Sequence, residues 1–375
     1  MPSIVPTGPR AARSLTGVAA DLLSSLGGDA AELPAARSAV LIVIDGLGAL
    51  QLRGHAGHAR RLAALMGKKD VARTVFPSTT AAALTSTLTG VAPGEHGLVG
   101  YRTLDPAQGR LANQLNGYER DGLDPATWQR MPTVFERAAA HGRRTFAVGL
   151  AEYARSGFTA AILRGAEYVP ADDTRMRVRL AYDLAAREPG SLVYCYLPEV
   201  DKAGHRYGIA SEEWLAALED VDAAFGVEPH GDVGVLVTAD HGMVDVPRHR
   251  HVLLADGDPR LDGVAHLGGE PRLLHVYLAP GVDARAAARV WSAESGRAAD
   301  VSTREQAIAD GLFGDVHADV RARIGDVIVA ARGTWAFYDD RLEDKHAQDM
   351  IGQHGSTTPE ETIVPYLRLG AYAVG

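Results

Sequence analysis

Four short, nearly continuous apolar runs, Ala39–Ile44, Thr145–Leu150, Leu192–Tyr196 and Val233–Thr238, constrain this chain more than any other feature. They lack the alternation of a half-exposed strand, so each reads as a strand buried on both faces, the pattern of a parallel sheet covered by helices. Helical periodicity lies between them, over Ala56–Met66, Thr133–His141, Thr174–Arg187 and Glu212–Phe225. The alternation predicts an α/β fold, a doubly wound, mostly parallel sheet with helices on both faces. Its functional groups belong at the carboxyl ends of the strands. After residue 247 the texture changes. Leu273–Leu278, Asp326–Ala331 and Thr334–Tyr338 read as strands and Ala284–Ser295 as a helix, predicting a small inserted α+β subdomain over 248–345. Residues 1–247 and 346–375 then form the main unit, with Thr362–Leu369 as a returning strand.

Composition narrows the function. Lysine and arginine number 38 against 47 aspartates and glutamates, a net charge of −9, so a role in coating nucleic acid or binding an anionic membrane has no electrostatic footprint. The single cysteine, Cys195, stands beside 14 histidines. One thiol forms no internal disulfide and no thiolate zinc site, so any metal must sit on imidazole and carboxylate. The first 30 residues, with Pro2, Pro6, Pro9, Arg10 and Arg13, do not read as a signal peptide. No apolar run approaches the ~18 residues of a membrane span. The expectation is a soluble, cytoplasmic protein, with its oligomeric state left open.

Four segments place ligand-type residues after strands or between glycines. Asp45 ends Leu41–Ile44 and is followed by Gly46 and Gly48; read alone, it is equally an N-cap. A dinucleotide fingerprint is poor there, because Gln51 replaces the third glycine. Asp201 and His205, after the strand ending at Tyr196, lie one helical turn apart and can face one ion, or simply a solvated helix face. Asp240 and His241 follow Val233–Thr238 directly and precede Gly242, the most specific single signal in the chain. His354 sits between Gly352 and Gly355, in a context that alone reads as a surface loop. Three carboxylates and three imidazoles are enough for two divalent cations, the usual clamp for phosphoryl transfer. Their oxygen and nitrogen donors without sulfur suit zinc, then manganese or iron. Hydroxyls for a nucleophile lie in Ser78–Thr79–Thr80, before an apparent helix ending at Gly90; they also suit an N-cap.

This order of motifs, from Asp45 through the Thr89–Gly90 pair, Asp201-x-x-x-His205 and Asp240–His241–Gly242–Met243 to His354–Gly355, resembles the alkaline phosphatase superfamily. Within it the chain most resembles the type I phosphodiesterase/nucleotide pyrophosphatase family. The resemblance implies one metal on Asp45, Asp240 and His241 and a second on Asp201, His205 and His354. It also implies a zinc-dependent hydrolase of small phosphate esters that passes through a covalent threonine intermediate. Counting ten positions back from Gly90 gives Thr80 as the nucleophile, with Thr79 the runner-up because the segment reads Phe-Pro-Ser-Thr-Thr. The family's two phosphate-binding asparagines fall on Ala83 and Tyr101, which leaves Tyr101 and backbone groups for the oxyanion. Phosphomonoester or phosphonate hydrolysis on the same fold remains an alternative, as does a metal-binding module without catalysis. Sulfatase chemistry does not fit, because the Cys/Ser-x-Pro-x-Arg context is missing. His96, His249, His251, His266 and His275 read as structural or loop histidines. Arg272, after Gly268–Pro271, is either aimed at substrate or part of a turn.

Overall fold

In the computed structural model, which describes residues 4, 13–29 and 32–373, the four apolar runs become central strands of one seven-stranded sheet. Its order is Val71–Arg73, Ile363–Gly370, Val233–Thr238, Ser38–Ile44, Leu192–Leu197, Thr145–Gly149 and Glu167–Pro170. The last five of these run parallel, and Ile363–Gly370 is antiparallel to both its neighbours. The reading of a leaderless start rests on Pro2, Pro6, Pro9 and Arg10, which lie outside the described residues. Among the described residues, no helix is long and apolar enough to cross a membrane.

Every residue of Ser38–Ile44 and Val233–Thr238 is buried, as two covering helix layers require. Leu15–Gly27, Thr80–Thr89 and Val134–Ala140 pack together as one group, and Thr174–Arg187, Glu199–Tyr207 and Glu212–Ala224 as the other. Thr174–Arg187 shows the cause in its sequence. Asp173 caps its start by accepting the Met176 N–H at 2.7 Å, and Val178, Ala181, Tyr182 and Ala185 recur at i, i+3, i+4 and i+7 as its buried stripe.

A second, antiparallel sheet of Val264–Glu270, Leu273–Leu278, Val327–Ala331 and Ala299–Thr303 is covered by Ala284–Ser295, which buries Ala288 and Trp291. The main apolar cluster draws on residues 15–239 and 364–372, and a separate one on residues 254–337. Local predictions failed where glycine intervenes. The helix expected over 56–66 is one turn, Arg60–Ala64, after another at Ala49–Gly54, because Gly54 and Gly57 sit where helix propensity must be high.

Candidate metal centre

Sheet order explains why distant aspartates meet. Val233–Thr238, Ser38–Ile44 and Leu192–Leu197 are adjacent and parallel, with Val43 opposite Thr238 and Ile44 opposite Leu197. Their carboxyl ends therefore lie side by side, carrying Asp240 and His241, Asp45, and the helix with Asp201 and His205. His354 arrives by a clip: Gly352–Gln353 pairs with Val244–Asp245 just beyond His241, and Gly355 bridges to Ser78. Gly46 makes the approach possible. It has φ +72°, and a Cβ there would lie 2.9 Å from the Asp201 Cβ.

The three histidines share one device. Nδ1 of His205 lies 2.8 Å from the Gly352 carbonyl, that of His241 3.0 Å from the Gly242 carbonyl, and that of His354 2.9 Å from the Ser78 carbonyl. A carbonyl only accepts, so each ring donates from Nδ1 and keeps an Nε2 lone pair free, the orientation of a metal ligand. The carboxylates are incompletely satisfied. Asp240 Oδ1 accepts the N–H groups of Gly46 at 3.2 Å and His241 at 3.0 Å, and the Tyr196 hydroxyl donates to Asp45 Oδ2. Asp45 Oδ1, Asp201 Oδ1 and Asp240 Oδ2 are buried with no hydrogen-bond partner.

Burial, then the charges of Asp240 and Asp201, push the Asp45 carboxyl well above its ordinary range. Burial and Asp201 raise Asp240 likewise. Burial, with His241 and His205 alongside, drives the His354 imidazole well below its own, and its ring stacks on His241 at 3.6 Å. Carboxylates whose charge burial disfavours, beside imidazoles that turn Nε2 toward them, are groups that a bound divalent cation would stabilise, so the donor set fits metal. Ligand atoms converge in two groups, Asp201 with His205 and His354, and Asp45 with Asp201 and His241. Asp201 thus belongs to both, while Asp240 Oδ2 lies 3.4 Å from His241 Nε2.

The two candidate threonines differ in what their hydroxyls do. Thr79 is the N-cap of Thr80–Thr89 and accepts the Ala82 N–H at 3.4 Å; Thr80 Oγ1 lies 3.0 Å from His241 Nε2. Ser78 ties down the loop after His354 through the Ser356 carbonyl at 2.7 Å. Tyr101 lines the same cavity of about 1020 Å³ as Asp45, Thr80 and Asp201. Arg272 is the part of a turn: it is fully buried, and its guanidinium grips Glu361 at 2.6 and 2.8 Å. His96 and His275 are buried structural groups, bonded to Ser86 Oγ at 2.9 Å and to the Val99 carbonyl at 3.0 Å. Burial holds them down at about 3 and about 4. Tyr196 and Glu270, both on the cavity wall, are among the residues that escaped the sequence reading. Tyr196 alternates with Tyr194 on one strand face, a visible signal in an otherwise aliphatic run, and Glu270 sits beside a turn.

A mostly parallel sheet with carboxylates and imidazoles at its strand ends is the fold of the alkaline phosphatase superfamily. Murine ectonucleotide pyrophosphatase/phosphodiesterase 5 superposes with a TM-score of 0.66 at 17% identity over 88% of both chains. Phosphonoacetate hydrolase of Sinorhizobium meliloti, solved with phosphonoacetate, does so with 0.67 at 19% identity over 90% of this chain and 91% of that one. The family model for type I phosphodiesterase/nucleotide pyrophosphatase matches residues 39–357, and the chain belongs to that metal-dependent family. An uncharacterised pyrophosphatase/phosphodiesterase of Schizosaccharomyces pombe is 26% identical over 210 residues, 52% of this chain and 42% of the relative. Ectonucleotide pyrophosphatase/phosphodiesterase family member 3 of Rattus norvegicus is 26% identical over 212 residues, 54% and 24%. The matches thus span less than half of these relatives' length.

Proposed function

We propose that this protein hydrolyses small phosphate esters, as a phosphodiesterase or nucleotide pyrophosphatase, with Thr80 as nucleophile. Asp45, Asp240 and His241 would hold one divalent cation and Asp201, His205 and His354 a second, with zinc favoured by the mixed nitrogen and oxygen donors. The observation that carries this reading is the Thr80 hydroxyl, 3.0 Å from His241 Nε2, which itself lies 3.4 Å from the unpartnered Asp45 Oδ1 and Asp240 Oδ2, while the hydroxyl of Thr79 is occupied as a cap. Bound cations would supply Lewis acidity for the phosphoryl oxygens and a lowered pKa for the attacking hydroxyl.

The chain's own contribution is positioning. Thr80 opens a helix whose first N–H groups favour a phosphate, and the cap by Thr79 fixes that start. Thr80 Oγ1 gives up its proton to solvent and forms a bond to phosphorus as the bond to the leaving oxygen breaks, that oxygen taking a proton from water; a second water then hydrolyses the phosphothreonine and returns the Thr80 hydroxyl. Tyr101 takes a phosphoryl oxygen from the cavity wall. Tyr196, partly exposed on the cavity wall and backed by the buried Tyr194, offers a planar group an aromatic face.

The separate apolar cluster of residues 254–337 supports treating 248–345 as an insert in the unit formed by 1–247 and 346–375. Cys195, whose thiol burial pushes up to about 12, suits a cytoplasmic setting in needing no oxidising partner. The test is turnover of bis-p-nitrophenyl phosphate and of p-nitrophenyl phosphate with added zinc. Thr80→Ala should abolish turnover of the diester. Thr79→Ala should instead lower stability by about 1 kcal/mol through the lost cap. Full activity in Thr80→Ala would remove the nucleophile assignment.

A further inference from the structure

The hairpin of Val264–Glu270 and Leu273–Leu278 turns on Pro271 and Arg272, with Glu270 opposite Leu273. Its tip cannot swing. Arg272 is locked to Glu361 at 2.6 and 2.8 Å and gives its remaining nitrogen to the Trp335 carbonyl at 2.6 Å. Glu270, at the other side of the turn, is only 9% exposed and lines the cavity that holds Thr80 and His354. Its Oε1 is buried without a hydrogen-bond partner. Among the described residues it forms no ion pair: Arg272 is saturated by Glu361, Lys202, also on the cavity wall, is held by Glu152 at 2.9 Å, Arg120 is held by Asp121, and Arg102, on the same wall, does not pair with it. The chain makes room for this carboxyl. Gly355, next to His354, has φ +126°, and a Cβ there would lie 2.8 Å from Glu270 Cγ and 2.9 Å from Cδ.

A partnerless buried carboxyl is costly, and one that lines a substrate cavity has its missing partner in the substrate. Burial and Glu361 push the Glu270 carboxyl well above the ordinary range, so it carries charge comfortably only beside a cationic or proton-donating group. The same cavity is lined by Glu343 and Asp344 as well as by Arg102 and Arg120, and Lys345 is held by Asp340 at 2.7 Å.

We propose that Glu270 is a specificity-determining residue, accepting a hydrogen bond from an amine on the alcohol arm of a phosphodiester and turning away an arm that carries further phosphate. This rests on the hydrolase reading and names its substrate class, a phosphodiester of an amino alcohol.

The experiment compares kcat/KM of the zinc-loaded protein for thymidine 5′-(2-aminoethyl) phosphate, thymidine 5′-ethyl phosphate and thymidine 5′-triphosphate, with thymidine 5′-p-nitrophenyl phosphate as the activity control. The thymine is common to all four, so the ratios between substrates read the variable arm alone, the part the proposal sets against Glu270. The expected result is at least a tenfold preference for the aminoethyl over the ethyl arm. Glu270→Gln should bring that preference toward unity and raise the triphosphate severalfold against the ethyl ester, and Glu270→Asp should restore part of it. Each ratio is taken within one protein preparation, so a smaller folded fraction cancels. An active wild type without preference, or a Glu270→Gln variant that keeps it, overturns the role of Glu270 and leaves the hydrolase reading standing. Wild-type inactivity on all four esters overturns both.

Discussion

The two halves of the candidate centre are built differently. Asp45, Asp240 and His241 are buried and follow directly from two adjacent parallel strands, so the sheet register that forms the core also sets their spacing. Asp201 and His205 stand half-buried on a helix, and His354 reaches them from a segment almost 150 residues further on. The second half therefore depends on clips outside the sheet: the Gly352–Gln353 ribbon, Ser78 on the following loop, and the buried Arg272–Glu361 pair. One half is a property of the sheet and the other of loop closure, and they should fail separately.

The largest effect should come from Glu361→Gln. Glu361 accepts the Ser356 N–H at 3.0 Å and the Thr358 hydroxyl at 2.7 Å as well as the Arg272 guanidinium. Both members of the ion pair have no exposed side-chain surface. Removing one charge strands the other, at a cost of roughly 3–5 kcal/mol. Chemical denaturation should show that loss, and elemental analysis after dialysis should show one zinc equivalent lost while the other is retained. Loss of both equivalents, or of neither, would break the distinction between the halves.

That asymmetry also explains what the sequence made legible. Asp45, Asp201 and Asp240 stand at or just beyond the ends of continuous apolar runs, where local pattern and fold rule agree. His354 was legible only because its glycine-flanked motif fits a family order; nothing local says that a loop will deliver it. Arg272 and Glu361 are 89 positions apart, and two charges with no exposed surface look, in sequence, like any solvated pair. Glu270 was invisible for a related reason, since its meaning lies in the absence of a partner. The hairpin of Arg102–Asp105 with Arg110–Asn113 was missed because strands this short carry too little periodicity. The helix at 56–66 was over-read because alanine and leucine outweighed Gly54 and Gly57.

A smaller change should act on the seam between the halves. In Gly46→Ala the residue must keep a left-handed conformation, and its Cβ must displace the Asp201 Cβ, 2.9 Å away. Strain and crowding together cost about 1–3 kcal/mol. Because Asp201 belongs to both ligand groups, turnover of bis-p-nitrophenyl phosphate should fall by more than the stability loss alone accounts for. A variant that melts early yet turns over normally when folded would show that the two groups tolerate separation.

The smallest effect has opposite signs with and without metal. Asp240→Asn keeps an Oδ1 acceptor for the Gly46 and His241 N–H groups and replaces the orphaned Oδ2 by an amide that can donate toward Asp45. In chelator, the variant loses a buried charge that burial and Asp201 make unfavourable. It should therefore melt above the parent. With zinc the order reverses, because the parent gains the binding free energy of a site the variant no longer completes. Acid should close the gap measured in chelator. A carboxyl whose folded-state pKa is raised is destabilising only when ionised, so lowering the pH protonates the parent's Asp240 and does what the substitution does. A parent more stable than the variant in chelator at neutral pH would mean that the three carboxylates do not strain the metal-free fold, and the buried half would lose its strongest physical sign of being built for cations.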